Sequence, residues 1–188
     1  MLRKTTAAAL ALCLCCLLSF GALADVWKKV NGETGYAAVI DDRAGLLQPG
    51  DEERNEGVIL QLADYCNVGF FTCSGSADRS EEEKAEEWGR QQFGAEPFLV
   101  FMIDMGTRQV SLYSTVEINR IITTEVADAI LDITYVYAGD GDFGRCALES
   151  YRLALKELEK QGAPGKTGGT DGNSSPEEVF GSLFGGGE

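Results

Sequence analysis

Hydrophobic positions switch between a two-residue and a three-to-four-residue period along the chain, and the switches mark its elements. Tyr36 to Ile40 is a short apolar run that stops at Asp41-Asp42, the pattern of a buried strand. After Pro49, Asp51-Glu52-Glu53 opens a helix, because proline suits a first turn and carboxylates suit the positive end of a helix dipole. Its inner stripe is Val58, Leu62 and Tyr65, with Ile59 and Cys66 alongside. Val68 to Cys73 predicts the second strand. The polar loop Ser74 to Arg79 then leads into Ser80-Glu81-Glu82-Glu83, a capping box in which serine and the last glutamate each satisfy the other's backbone N–H. The helix it starts turns Ala85, Trp88 and Gln92 inward and ends near Phe93-Gly94.

Phe98 to Ile103 is apolar throughout, which predicts a strand covered on both faces. A turn at Asp104 to Arg108 returns the chain into Val110 to Tyr113, whose alternation marks a hairpin partner. Ile118, Ile121, Ile122, Val126, Ala129, Ile130 and Ile133 keep a helical period and predict a third helix from Glu117 to Tyr137. Gly139-Asp140-Gly141-Asp142 breaks it. A fourth helix runs from Asp142 to Lys160 with Phe143, Ala147, Tyr151, Leu155 and Leu158 inward, and Asp142 reads as its N-cap. An EF-hand reading of Asp140-Gly141-Asp142 fails at the twelfth position, where Tyr151 stands in place of glutamate.

The ends of the chain differ in kind from its middle. Arg3 and Lys4, the apolar run Ala7 to Leu18, and Ala22-Leu23-Ala24 are in the order of a secretory signal peptide. Its apolar run is shorter than the roughly 20 residues a membrane span needs. Leu14 and Cys15, which precede Cys15 and Cys16, are not the small residues of a lipid-attachment site. The sequence thus divides into a signal at 1–24, a lead at 25–35, a folded domain at 36–160 and a Gly/Ser-rich tail at 161–188. Export, a soluble monomer at the cell envelope, and no membrane span after cleavage are the expectations. Near its end the tail carries Val179, Phe180, Leu183 and Phe184, enough for one amphipathic turn.

Charge and cysteines narrow the chemistry. With 16 Lys and Arg against 30 Asp and Glu, the net charge is −14, and loss of Arg3 and Lys4 with the signal makes it more negative. An acidic surface does not neutralise phosphates, so no nucleic-acid partner is expected. There is no histidine, which removes imidazole from any catalytic or metal-binding scheme. Cys66, Cys73 and Cys146 remain after the signal. Cys66 and Cys73 lie at the two ends of one predicted strand, roughly 23 Å apart and beyond disulfide reach. Pairing of Cys146 with either one stays open beside the reading of all three as buried thiols.

The element order is β-α-β-α-β-β-α-α, an α/β three-layer sandwich around a mixed four-stranded sheet. Within it, Val39-Ile40-Asp41-Asp42-Arg43-Ala44-Gly45-Leu46-Leu47 is similar to the opening motif of the TPM domain family, with Asp42 at the family aspartate. Trp88-Gly89, the run Phe98 to Asp104, Arg108 and Gly141-Asp142-Phe143 extend the resemblance over about Tyr36 to Glu159. Two segments depart from it. Phe93-Gly94-Ala95-Glu96-Pro97 replaces a glycine-rich loop, and Ser114-Thr115-Val116-Glu117 replaces a Gly-Tyr-Gly segment. The resemblance implies an exported module, and what it implies of function is uneven: some members resemble calcium-binding modules, some are described as acid phosphatases, and others assist assembly or turnover of membrane complexes.

If the first three strands are parallel, their carboxyl ends form one rim, where ligands of open α/β sheets bind. That rim would gather Asp41, Asp42, Ser74, Ser76, Asp78, Asp104 and Arg108. Asp42, Asp78 and Asp104 are the candidate ligands for a hard cation such as Ca2+, which takes oxygens. N-capping and turn formation are the competing roles for the same residues. The expectation is a non-enzymatic module acting on an envelope protein. The alternative is a metal-dependent acid phosphatase, with a metal on Asp42 and with Ser74 or Asp78 positioning the nucleophile.

Overall fold

Phe98–Asp104 is buried along its whole length, as a run without polar alternation requires, and it sits deep in a five-stranded sheet. The computed structural model describes residues 26–75 and 78–161; the predicted signal, Ser76 and the tail from 162 lie outside them. The strands are β1 (Trp27–Val30), β2 (Ala37–Asp42), β3 (Asn67–Cys73), β4 (Phe98–Asp104) and β5 (Gln109–Ser114), and their spatial order equals their chain order. β2, β3 and β4 are parallel, while β1 and β5 pair antiparallel at the two edges. The helices are α1 (Asp51–Leu62), α2 (Glu81–Phe93), α3 (Val116–Asn119), α4 (Thr124–Gly139) and α5 (Phe143–Lys160). None of the described helices is long and apolar enough to cross a membrane.

Side chains alternate across the sheet and divide the core in two. Ala38, Ile40, Val68, Phe70, Leu99 and Phe101 face α1, α4 and α5. Ala37, Val39, Phe71, Val100 and Met102 face α2. Three layers of α, β and α result, with α2 alone on its side. The connections β2-α1-β3 and β3-α2-β4 step across the sheet in the same direction but over opposite faces. They therefore have opposite hands, so one departs from the usual right-handed crossover.

Two sequence expectations are corrected. The fifth strand, β1, lies in the lead; its burial is slight, so it carries no inward-outward alternation to read. The predicted third helix is two. Thr123 caps α4 by accepting the Val126 N–H at 3.3 Å, and the break shifts the helical phase. Ala127, Ile130 and Thr134 are buried as a result, while Ile133 is 63% exposed. The capping box of α2 forms as read, at 3.2 Å and 3.0 Å, and Asp142 caps α5 through the Arg145 N–H.

α5 reaches the middle of the sheet, where the Tyr151 hydroxyl donates to the Gly69 carbonyl at 2.5 Å. On the opposite face the Trp88 indole lies directly on Gly69, where a Cβ would come within 2.2 Å of the ring. The indole has nowhere to move, being stacked on Phe71 and hydrogen-bonded to Asp41. Gly69→Ala is therefore expected to lower stability by about 1–3 kcal/mol through overpacking. Urea unfolding should show this as a lower midpoint with an unchanged slope.

Candidate functional site at the carboxyl rim

The parallel register brings Asp42 level with Thr72, and Cys73 level with Asp104, at one end of the sheet. The rim is thus formed, but alternation divides its carboxylates. Asp41 and Asp104 share the parity of the α2 face, and Asp42 has that of the α1 face.

Asp42 organises the loop that follows it. Its Oδ1 accepts the Leu46 N–H at 3.0 Å and the Thr72 hydroxyl at 2.5 Å, and its Oδ2 accepts the Leu47 N–H at 2.8 Å. Gly45, at φ 65°, supplies the left-handed step that lets the loop fold back onto it. This is the turn chemistry open to a short acidic side chain.

Asp41 is 1% exposed. It accepts the Trp88 indole N–H at 2.9 Å and pairs with Arg43 at 2.8 Å, while the Arg43 guanidinium lies over the Phe71 ring. Asp104 is fully buried and holds the ammonium of Lys84 at 2.8 Å on Oδ2. Its Oδ1 accepts the N–H groups of Gly75 at 3.0 Å and Gly106 at 2.7 Å. Burial disfavours the Asp104 charge, but Lys84 and the two N–H groups outweigh it and hold the carboxyl below its ordinary pKa. Lys84 is raised by its bond to Asp104 against the opposing effect of burial. Glu81 lies 3.7 Å from the ammonium and is itself bound by the Thr107 hydroxyl.

A cavity of about 260 Å³ opens here, lined by Arg43, Cys73, Asp78, Arg79, Lys84 and Trp88 among others. Asp78 and Ser74 are exposed at this end, whereas Ser76 lies outside the described residues. Arg108 does not join them. It adopts φ 58° in the β4–β5 turn and lines a separate cavity with Met105, Tyr135 and Phe143.

Asp42 and Asp104 belong to opposite faces, and the oxygens of both are committed to internal donors. Among the described residues no three acidic or cysteine side chains are arranged to hold a metal. A divalent cation at Asp104 would have to displace Lys84. That lysine was legible in principle: next to Ala85 and four residues before Trp88, it sits on the inward stripe of α2.

The surroundings of all three thiols disfavour the thiolate. Burial pushes Cys66 up to about 12 and Cys146 up to about 11. Burial and then the Asp104 charge raise Cys73. All three are free in the structure.

No protein-family model and no curated protein matches the chain. Solved structures do resemble it in fold. One is the solution NMR structure of the N-terminal domain of a protein from P. gingivalis, at 16% identity and a TM-score of 0.54, covering 65% of this chain and 82% of that one. Another is the NMR structure of the BA42 protein from the psychrophilic bacterium Bizionia argentinensis, at 12% identity and a TM-score of 0.50, covering 64% of this chain and 88% of that one. At these identities the likeness concerns the fold.

Proposed function

We propose that this chain is an exported, non-enzymatic module of the TPM type that works by binding another protein at the cell envelope. The observation that carries this reading is the state of the rim. Asp41, Asp42 and Asp104 are each spent on holding a loop, an indole or a lysine, which leaves none of them placed as a free base or nucleophile. Lys84 supplies the positive charge that a metal would bring, so a divalent ion belongs to this reading only where it displaces the ammonium. A metal-dependent phosphatase is the competing reading. In its favour is the cavity whose wall carries Arg43, Arg79 and Lys84.

The full chain is expected to hydrolyse p-nitrophenyl phosphate no faster than buffer, with or without magnesium or calcium. Calorimetric titration with calcium is expected to give no saturable heat. Metal-stimulated turnover abolished by Asp104→Ala would overturn the non-enzymatic reading. Saturable calcium heat that Asp104→Ala removes would restore the cation site.

A further inference from the structure

The two edges of the sheet are finished differently. β1 has only four residues, two of them lysines, and Lys29 reaches Glu56 at 3.0 Å. Short length and lysine are usual devices that keep an edge from pairing. β5 has neither: it is the six-residue Gln-Val-Ser-Leu-Tyr-Ser, without charge or proline.

Its ladder with β4 fixes which backbone groups are left over. The Thr115 N–H bonds the Phe98 carbonyl at 3.0 Å, and the register continues from that pair along both strands. Antiparallel pairs alternate between bonded and unbonded. Tyr113, Ser111 and Gln109 therefore bond to β4, and the N–H and C=O groups of Val110, Leu112 and Ser114 point to the open edge. Among the described residues no backbone bond reaches those outer groups.

A groove of about 420 Å³ runs along this edge, lined by all six residues of β5. One wall is the start of α2, with Glu81 and Glu82. The other is α4 and the turn before it, with Ile122, Ala127, Asp128 and Leu131. Every charged residue of the lining is acidic. The Ser111 hydroxyl oxygen, also in the lining, is buried without a hydrogen-bond partner.

We propose that β5 is a docking edge for an extended segment of a partner protein, which adds as a sixth strand. The partner segment alternates basic and apolar residues. Its basic side chains meet Glu81 and Glu82 on one face, and its apolar ones meet Ile122, Ala127 and Leu131 on the other. Charge selects this occupant. A second copy would bring the same acidic walls together, and the tail at 162–188 has one Lys against four Asp and Glu. The proposal rests on the reading of the chain as a protein-binding module and makes no use of the rim.

The test uses the full chain and a labelled seven-residue peptide alternating lysine and valine. Fluorescence anisotropy measures binding and NMR measures amide exchange. Saturable binding is expected, with the amides of Val110, Leu112 and Ser114 exchanging about tenfold more slowly while those of Gln109, Ser111 and Tyr113 hardly change. N-methylation at alternate peptide positions should weaken binding about tenfold in one register and leave it intact in the other. Replacing the peptide lysines by glutamate, or Glu82 and Asp128 by lysine, should weaken binding in the same direction.

Four results would overturn the proposal: no binding at millimolar peptide, equal tolerance of both methylation registers, equal binding of the glutamate peptide, or protection that maps to the rim. Protection of the β5 edge without peptide would overturn it too. A dependence on protein concentration would then assign the edge to a second copy, and loss of protection on deleting residues 162–188 would assign it to the tail. Phosphatase turnover together with intact peptide binding would sink the non-enzymatic reading alone.

Discussion

Lys84→Met is expected to lower the unfolding free energy by about 3–5 kcal/mol, because it leaves a buried carboxylate without its counter-ion. Methionine keeps the length of the stem, so the loss is chiefly electrostatic. Asp104 would retain the N–H groups of Gly75 and Gly106 but no positive charge from Lys84. Urea unfolding at neutral pH measures the difference, and pH separates it from a packing defect. The Asp104 carboxyl lies below its ordinary value in the folded protein, so its contribution is present above the unfolded value of about 3.9 and is lost as pH falls through the folded one. The Lys84 pKa is raised, so its contribution is full below the ordinary lysine value and is lost only as pH rises through a still higher one. The gap between wild type and variant should thus be level from about pH 5 to pH 10 and narrow in stronger acid. A gap that persists unchanged in acid would mean that the pair contributes through packing alone.

Trp88→Ala should cost a similar amount, about 3–5 kcal/mol, by a different route. The indole is 3% exposed, stacked on Phe71 and edge-on to Phe93. Its removal opens a cavity on the face that α2 alone covers. It also takes the indole N–H from Asp41, which is then left with Arg43. Trp88→Phe keeps most of the packing and should cost distinctly less. Equal losses in the two variants would place the effect in the hydrogen bond rather than the cavity.

The central strands were readable because their burial is one-dimensional. Phe98 to Ile103 has no polar position, and so has one interpretation. The capping box was equally direct, since both partners lie within four residues. β1 was not legible, because an exposed edge strand has no periodicity of its own. The break between α3 and α4 was hidden because Ile118, Ile121 and Ile122 continue an apparent helical stripe across it. At the rim, the topology was legible and the chemistry was not. The parity of Asp42 and Asp104 depends on the register between β2 and β4, which no single segment encodes. The partner of Asp104 is a lysine 20 residues earlier, on a helix whose other charged residues are exposed or half-buried.

The sheet's strand order has a consequence for how the chain is made. A sheet whose neighbours in space are neighbours in sequence grows at one side only. Each strand leaving the ribosome or a translocation channel adds beside its predecessor, and no finished pair must reopen to admit a later one. What such growth leaves unfinished is the α1 face, which waits for α5, the last described element, to bring Tyr151 to Gly69 and Gly144 to Asn55. Until then the face that holds Phe70 and Phe101 lacks the part of its cover that α5 supplies, so the described fold stays open to aggregation until its final helix is in place.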